Sequence, residues 1–323
     1  MRDREREKVF KKKKVSQTKP RESSKLWEEL NKNLYNNINN NFLNNFRKPD
    51  NPTNRFSTWP PKEPTFRYYL TLVFNEVLKK NRDFFKNYKK LGNTLLGQPL
   101  CVSANGVQVN LDYLISIEEY DFLSQNLNLE SIESIVEIGA GFGRTAHTLL
   151  KLCPNIKKYT IIDLPPMLKL ASKYLKKVLS NELIKLNFIE TTEIKKIKET
   201  KFDLGINIDS FQEMPKQVIF GYINNLFAKT KNVYIKNPVC KYPSKLLGIK
   251  QTKKYDVFSL GYITEVADIF NEVQLNIMRK IYAEKYSPSH NHKIVKASPS
   301  NLFTYYQHIL YNYRNYEVTQ LRK

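Results

Sequence analysis

The stretch Ser134-Ile-Val-Glu-Ile-Gly-Ala-Gly-Phe-Gly-Arg144 decides the fold. Its first half is a short apolar, β-branched run, and its second half sets Gly139, Gly141 and Gly143 at alternate positions just where a helical pattern begins. Glycines at such a strand–helix turn let backbone approach a ligand where a Cβ would collide. Asp163 closes the next apolar run, twenty residues after Gly143. A carboxylate there can accept both ribose hydroxyls of an adenosine. The chemistry expected is therefore the binding of a nucleotide-like cofactor.

Outward from this stretch the texture alternates. Short apolar runs at Ile135–Ile138, Tyr159–Ile162, Leu186–Ile189, Phe202–Ile208 and Val233–Ile235 are separated by helical spacing over 143–153, 166–179 and 215–229. Strands that alternate with helices predict βαβ units and a parallel sheet covered on both faces. Val273–Met278 and Lys293–Lys296 are expected as an antiparallel edge pair, and Ser300 to Tyr313 as a last, aromatic-rich helix.

Toward the N-terminus the pattern is helical. Leu26, Leu30, Leu34, Ile38, Phe42 and Phe46 recur every four residues, which predicts one amphipathic helix through an Asn-rich run. Asn is a poor helix former, so packing must hold that helix together. Pro49 to Pro64 reads as a linker, and Phe66 to Leu91 as a second helix. Asn105-Gly106 marks a tight turn between Leu100–Ala104 and Val107–Asn110, before a further helix over Leu111–Leu127. The division expected is a charged tail over 1–25, a helical N-terminal cap over 26–130, a core over 131–300, and a C-terminal helix and tail over 301–323. The cap is either a packing annex or a cover for an active site.

Composition narrows the class. The 323 residues are 41% hydrophobic and 26% charged, enough apolar content for a sizeable core, which excludes a disordered chain. No apolar run reaches the roughly 18–20 residues of a membrane-spanning helix. Three dispersed cysteines, Cys101, Cys153 and Cys240, exclude a disulfide scaffold and a CxxC zinc site, and suit a reducing, cytoplasmic compartment. The formal charge is +22. Residues 1–25 hold 11 basic and 4 acidic side chains, and residues 131–323 hold 30 and 16. Such a field attracts anions of several kinds, or is simply a solvated lysine-rich surface. The tail lacks the apolar stretch of a secretory signal. It suits weak contact with an anionic membrane surface, which would place the protein peripherally at the inner face of the membrane.

A dinucleotide fingerprint wants G-x-G-x-x-G; here the third glycine falls one position early and Arg144 stands in its place. No G-x-x-x-x-G-K-[ST] phosphate loop exists. The E-x-G-x-G-x-G form resembles instead the first motif of class I S-adenosylmethionine (SAM) methyltransferases. Together with Ile161-Ile-Asp-Leu-Pro-Pro166 and Asn207-Ile-Asp-Ser-Phe-Gln-Glu-Met-Pro215, it resembles the sugar O-methyltransferase family. Leu96-Gly-Gln-Pro-Leu100, Asn105-Gly106 and Asp112-Tyr113-Leu114 resemble that family's N-terminal half, with Gln98-Pro99 where Asn-Pro is expected.

The resemblance covers roughly residues 66 to 300. It implies an α/β, Rossmann-like class I core with a mostly parallel seven-stranded sheet, and methyl transfer from SAM to a sugar hydroxyl of a glycan or glycan precursor. It also implies cofactor contacts from Glu137, Gly139, Gly141, Gly143, Asp163, Leu164 and Asn207. A sugar hydroxyl is a weak nucleophile, so a general base or a metal should assist. Glu213 and Asp209 are the carboxylates just beyond the fourth strand. Glu213 is favoured as base, with Asp209 shaping the cofactor pocket; the alternative for Glu213 is an acid placed in a helix's first turn by the macrodipole. The same two residues could contribute to a divalent-metal site, though no motif completes one.

Of the histidines, His147 reads as packing or surface, His290 and His292 as an H-x-H in a polar loop, and His308 as structural. Two rivals remain: a nucleic-acid methyltransferase, suggested by the charge, and a non-catalytic partner subunit with a SAM fold. The segment after the fourth strand lacks the Asn-Pro-Pro-aromatic motif of amino-methylating enzymes, and no RNA-binding module is visible, so no specific nucleic acid is expected. Oligomeric state is not specified by these patterns.

Overall fold

The computed structural model describes residues 23–54, 63–197, 201–241 and 259–314. Most of the expected charged tail and part of the Pro49–Pro64 linker lie outside them. The central stretch becomes strand β3 (Ser134–Ile138) and, after the glycines, a helix over Arg144–Leu152. Around β3 assemble β4 (Lys158–Asp163), β5 (Leu186–Glu190), β6 (Leu204–Ile208) and β7 (Asn232–Pro238). The two remaining strands are β8 (His292–Pro299) and β9 (Tyr306–Tyr313), and the order is β5-β4-β3-β6-β7-β9-β8. Pairings are parallel from β5 to β7, and β9 runs antiparallel to both β7 and β8. This is a Rossmann-like α/β core with the expected mostly parallel, seven-stranded sheet.

Helices cover both faces because each strand's side chains alternate. One apolar cluster joins Val136, Ile138, Val233 and Ile235 to Ile219, Ile223, Leu275 and Tyr282. The other joins Ile135, Ile161, Leu204 and Ile206 to Leu149, Leu150, Ala171 and Leu175.

The chain-order helices are α1 (Lys25–Asn33), α2 (Asn40–Asn45), α3 (Glu63–Lys80), α4 (Phe84–Leu91) and α5 (Leu111–Asn126), followed by α6 (Arg144–Leu152), α7 (Pro165–Val178), α8 (Lys216–Asn225) and α9 (Glu272–Lys285). Strands β1 (Cys101–Ala104) and β2 (Val107–Asn110) form the expected hairpin, with φ 49° at Asn105 and 70° at Gly106. Among the described residues no helix is long and apolar enough to cross a membrane.

Four expected elements differ. The single helix from Leu26 to Phe46 is two: α1 ends at Asn33, and α2 opens where Asn39 Oδ1 accepts the Phe42 N–H at 2.9 Å. Apolar spacing continued through the gap, but asparagine caps helices better than it extends them. The helix over Phe66–Leu91 likewise divides at Asn81–Asp83 into α3 and α4.

Val273–Met278 is not a strand but part of α9, whose Asn271 cap accepts the Gln274 N–H at 3.1 Å. The buried positions Leu275, Met278 and Tyr282 follow a helical period. Finally, the helix expected over Ser300 to Tyr313, and with it the described part of the C-terminal helix and tail placed over 301–323, is replaced by β9 in the sheet interior. Gln307 to Tyr311 are all buried, so no alternation betrays a strand. β8 does lie at the sheet edge as expected, but its partner is β9.

Candidate active site

Because β4 lies on one side of β3 and β6 on the other, the C-terminal ends of these strands part around a crevice. A cavity of about 530 Å³ opens there, within the range of small-molecule sites. Glu137, Gly139, Gly141, Asp163, Leu164, Asp209 and Glu213 all line it. The structure thus brings together seven of the nine residues singled out from sequence.

The two others play packing roles. Gly143 starts α6 at φ 91°, and a Cβ there would stand 2.9 Å from Leu175 Cδ1. Asn207 is fully buried. Its Nδ2 donates to Ile138 O at 3.0 Å and Ser210 Oγ at 2.6 Å, and its Oδ1 accepts from Asn237 Nδ2 at 2.9 Å. It staples β3, β6 and β7 behind the cavity wall, and the sidedness of β6 that decides this is not encoded in a short apolar run.

The glycine turn is built for close approach. Gly139 (φ 73°) faces Ser210, and an added Cβ would meet its Oγ at 2.2 Å. Gly141 (φ 58°) has nothing within 4 Å of that position. A ligand can therefore come against its backbone. Asp163, the last residue of β4, locks the turn: Oδ2 accepts the Gly141 N–H at 3.0 Å and Oδ1 the Leu164 N–H at 2.8 Å. Burial pushes its carboxyl up to about 7, although both N–H bonds favour the charge. Glu137, under the turn, accepts the Tyr159 hydroxyl at 2.8 Å, and burial pushes it up to about 7 as well.

Asp209 and Glu213 stand at the other side, on the turn after β6. Asp209 is held at φ 64°, a conformation unfavourable for a residue with a Cβ. Its Oδ1 accepts the Tyr306 hydroxyl at 2.7 Å and an N–H from Gln212. Glu213 ends the 3₁₀ turn Phe211–Glu213, and its Oε2 accepts the indole N–H of Trp27 at 2.9 Å.

Sequence reasoning missed the floor and the roof. The floor is polar: Asp112 and Glu119, seven residues apart on α5, face Arg47, Arg144 and Lys236. Lys236 Nζ lies 3.0 Å from Glu118 Oε2 and 3.1 Å from Glu119 Oε1. Burial alone would raise both carboxyls; Lys236 and His308 outweigh it at Glu118, and Arg144 and Lys236 at Glu119, so both are held below the usual range. A lysine inside the apolar run of β7 was the available signal.

The roof comes from the N-terminal segment, where Trp27 and Tyr35 line the cavity 6.2 Å apart, ring to ring. Burial first, then the charges of Glu213 and Asp163, push the Tyr35 hydroxyl up to about 12, so it remains a donor. Arg47 anchors this segment by bonds to Asp112, Asn110, Thr94 O and Leu96 O, at 2.6–3.0 Å.

The histidines do not join the site. His147 Nε2 donates to Leu91 O at 2.9 Å, and its Nδ1 accepts from Tyr113. His292 Nε2 donates to Thr230 O at 2.9 Å, which makes it a buried structural residue. His308 lies on β9 with Nδ1 2.7 Å from the Tyr234 hydroxyl. Among the described residues, no three His, Cys, Asp or Glu side chains cluster as a metal site requires.

No family model matches the sequence, and no curated protein does. Among solved structures the chain is similar to the methyltransferase domain of bacterial CtHen1, at 15% identity and a TM-score of 0.42, over 63% of this chain and 100% of that one. It is similar to the mitomycin 7-O-methyltransferase MmcR at 12% identity and TM-score 0.40, over 62% of this chain and 54% of that one. For the plantazolicin methyltransferase BpumL in complex with SAH the values are 16% and 0.40, over 62% and 83%. At such likeness the functional reading rests on the cavity's own residues.

Proposed function

We propose that the chain is a SAM-dependent O-methyltransferase acting on a sugar hydroxyl of a glycan or glycan precursor. The observation that carries this reading is one cavity bounded by the Asp163–Gly141 lock on one side and the carboxylates Asp209 and Glu213 on the other. Fit to the cofactor is supported by the open space over Gly141, by a buried carboxylate at the end of β4 and by a floor of both charge signs. Asp163 would accept the ribose hydroxyls, Leu164 would border the adenine side, and the floor would face the zwitterionic end. The cofactor supplies an electrophilic sulfonium methyl.

The protein's own residues then position the acceptor. With the cofactor bound, Glu213 would accept the proton of the acceptor hydroxyl as that oxygen takes the methyl group the sulfonium would supply, and Asp209 would border the same space. Alignment of the reacting atoms accounts for much of the rate, and a carboxylate within reach of the hydroxyl adds general-base assistance. A sugar is favoured by the aromatic rings that line the cavity beside the two carboxylates, Trp27 and Tyr35 from the roof and Tyr305 and Tyr306 from the start of β9. Aromatic faces can cover sugar C–H faces while carboxylates accept hydroxyl protons.

The test uses SAM labelled on its methyl group, offered with cell extract split into glycan, nucleotide-sugar, lipid and nucleic-acid fractions. Label in the glycan or nucleotide-sugar fraction, lost with Asp163→Ala, is the expected result. Label in nucleic acid overturns the acceptor, and failure to bind SAM overturns the enzyme.

A further inference from the structure

Glu213 and Trp27 are 186 residues apart in sequence, yet the indole Nε1 donates to Glu213 Oε2 at 2.9 Å. The contact is not isolated. Trp27 packs on Tyr35, Tyr35 on Phe42 and Phe42 on Phe46, with ring centroids 6.0–6.2 Å apart. Phe46 then meets Phe142 of the glycine turn at 5.4 Å. A row of aromatic rings therefore runs from the carboxylate beyond β6 to the turn that borders Asp163. The adjoining Arg47 fixes the Phe46 end of the row by bonding to Asp112 on α5 and to the Thr94 and Leu96 carbonyls.

Resting on the reading of Glu213 as the base, we propose that Trp27 is a positioning residue: the N-terminal strap holds the Glu213 carboxylate through the indole N–H, fixing its orientation toward the acceptor and favouring its charged form. A hydrogen bond donated to a carboxylate stabilises the charge and lowers the pH at which the base becomes active. Other titratable groups bordering the same space include Tyr35 on the strap, Asp163 at the end of β4, Asp209 on the turn itself, Tyr305 and Tyr306 at the start of β9, and Asp112, Glu119, Arg144 and Lys236 on the floor. Lys241, whose Nζ bonds to Gln212 O at 3.0 Å, sits behind the turn. None of these donates the 2.9 Å bond that Trp27 makes to Oε2.

Two measurements on the full chain test this. The sequence holds two tryptophans, so Trp59→Phe leaves Trp27 as the sole tryptophan, excited apart from the tyrosines at the red edge. Its emission should show a pH step that disappears with Glu213→Gln; a step that persists in that variant, or no step at all, overturns the contact whatever the protein methylates. In the methyl-transfer assay, Trp27→Phe keeps a ring in the row and removes the donor. The expected result is an acidic limb of the kcat profile moved up by about one pH unit, with SAM affinity unchanged. An unmoved limb, or a loss confined to SAM affinity, would reduce Trp27 to packing. If the wild-type chain methylates no acceptor, the function reading fails while the emission step still decides the contact.

Discussion

At the scale of single residues, Asp163 is the carboxylate whose state matters most. Its carboxyl, raised to about 7 by burial, is mostly protonated in the free protein at pH 6. Ribose hydroxyls donating to it would favour the charged form, so binding below pH 7 must release a proton. SAM affinity of the wild-type protein should then climb by up to about tenfold per unit between pH 5 and 7 and level off above. Asp163→Asn should bind about 10–100-fold more weakly, with no such slope. Calorimetric titration across pH 5–8 decides it, and a flat wild-type profile would uncouple this proton from the cofactor. The free protein's stability runs the opposite way: a carboxyl raised on folding from 3.8 to about 7 contributes most at low pH and loses that contribution as pH rises through about 7.

The glycine turn is an element whose positions answer to different demands. At Gly139 a Cβ would run into Ser210, whose hydroxyl is already bonded to Ile138 O at 3.1 Å and to Asn207. At Gly141 a Cβ would enter open cavity at φ 58°. Gly139→Ala should therefore cost about 2–4 kcal/mol of stability, from overpacking and left-handed strain together. Gly141→Ala should cost about 1 kcal/mol by strain alone while weakening SAM at least about tenfold. Urea unfolding and calorimetry on the two variants separate these losses, and equal effects on both quantities would contradict the assigned roles. At Gly143 the demand is packing, since a Cβ there would stand 2.9 Å from Leu175 Cδ1.

Across the whole molecule, a buried ionic bridge joins distant parts of the chain. Glu118 on α5 accepts from Lys236 on β7 and from the Ser300 hydroxyl before β9, so the N-terminal half, the parallel strands and the C-terminal hairpin share one charge network. Lys236→Met leaves Glu118 without its ammonium partner and should cost about 3–5 kcal/mol in urea unfolding at pH 7. The wild-type carboxyl lies below its usual range, so its stabilisation is present at neutral pH and lost on acidification. In the variant burial is opposed only by His308 and by the Ser300 and Asn301 donors, so the carboxyl should move up. The deficit should shrink toward pH 4, and a pH-independent deficit would mean packing, not charge, is responsible.

Local pattern was enough for the parallel strands, the glycine turn and Asp163, because each is set by neighbours in sequence: a β-branched run, a backbone that must turn, a carboxylate at a strand's end. It also reached Asp209 and Glu213, four residues apart on a single turn. What the sequence by itself could not determine was whatever depended on distant partners. β9 is buried on both faces between β7 and β8, so its side chains lack the alternation that marks a strand, and α9 was misread because Val273 to Met278 alternates while its packing partners recur at helical spacing. Only the folded chain carries Trp27 to Glu213 and sets Arg144 and Lys236 against Glu119, since the contacts that order those side chains come from elements far apart in sequence.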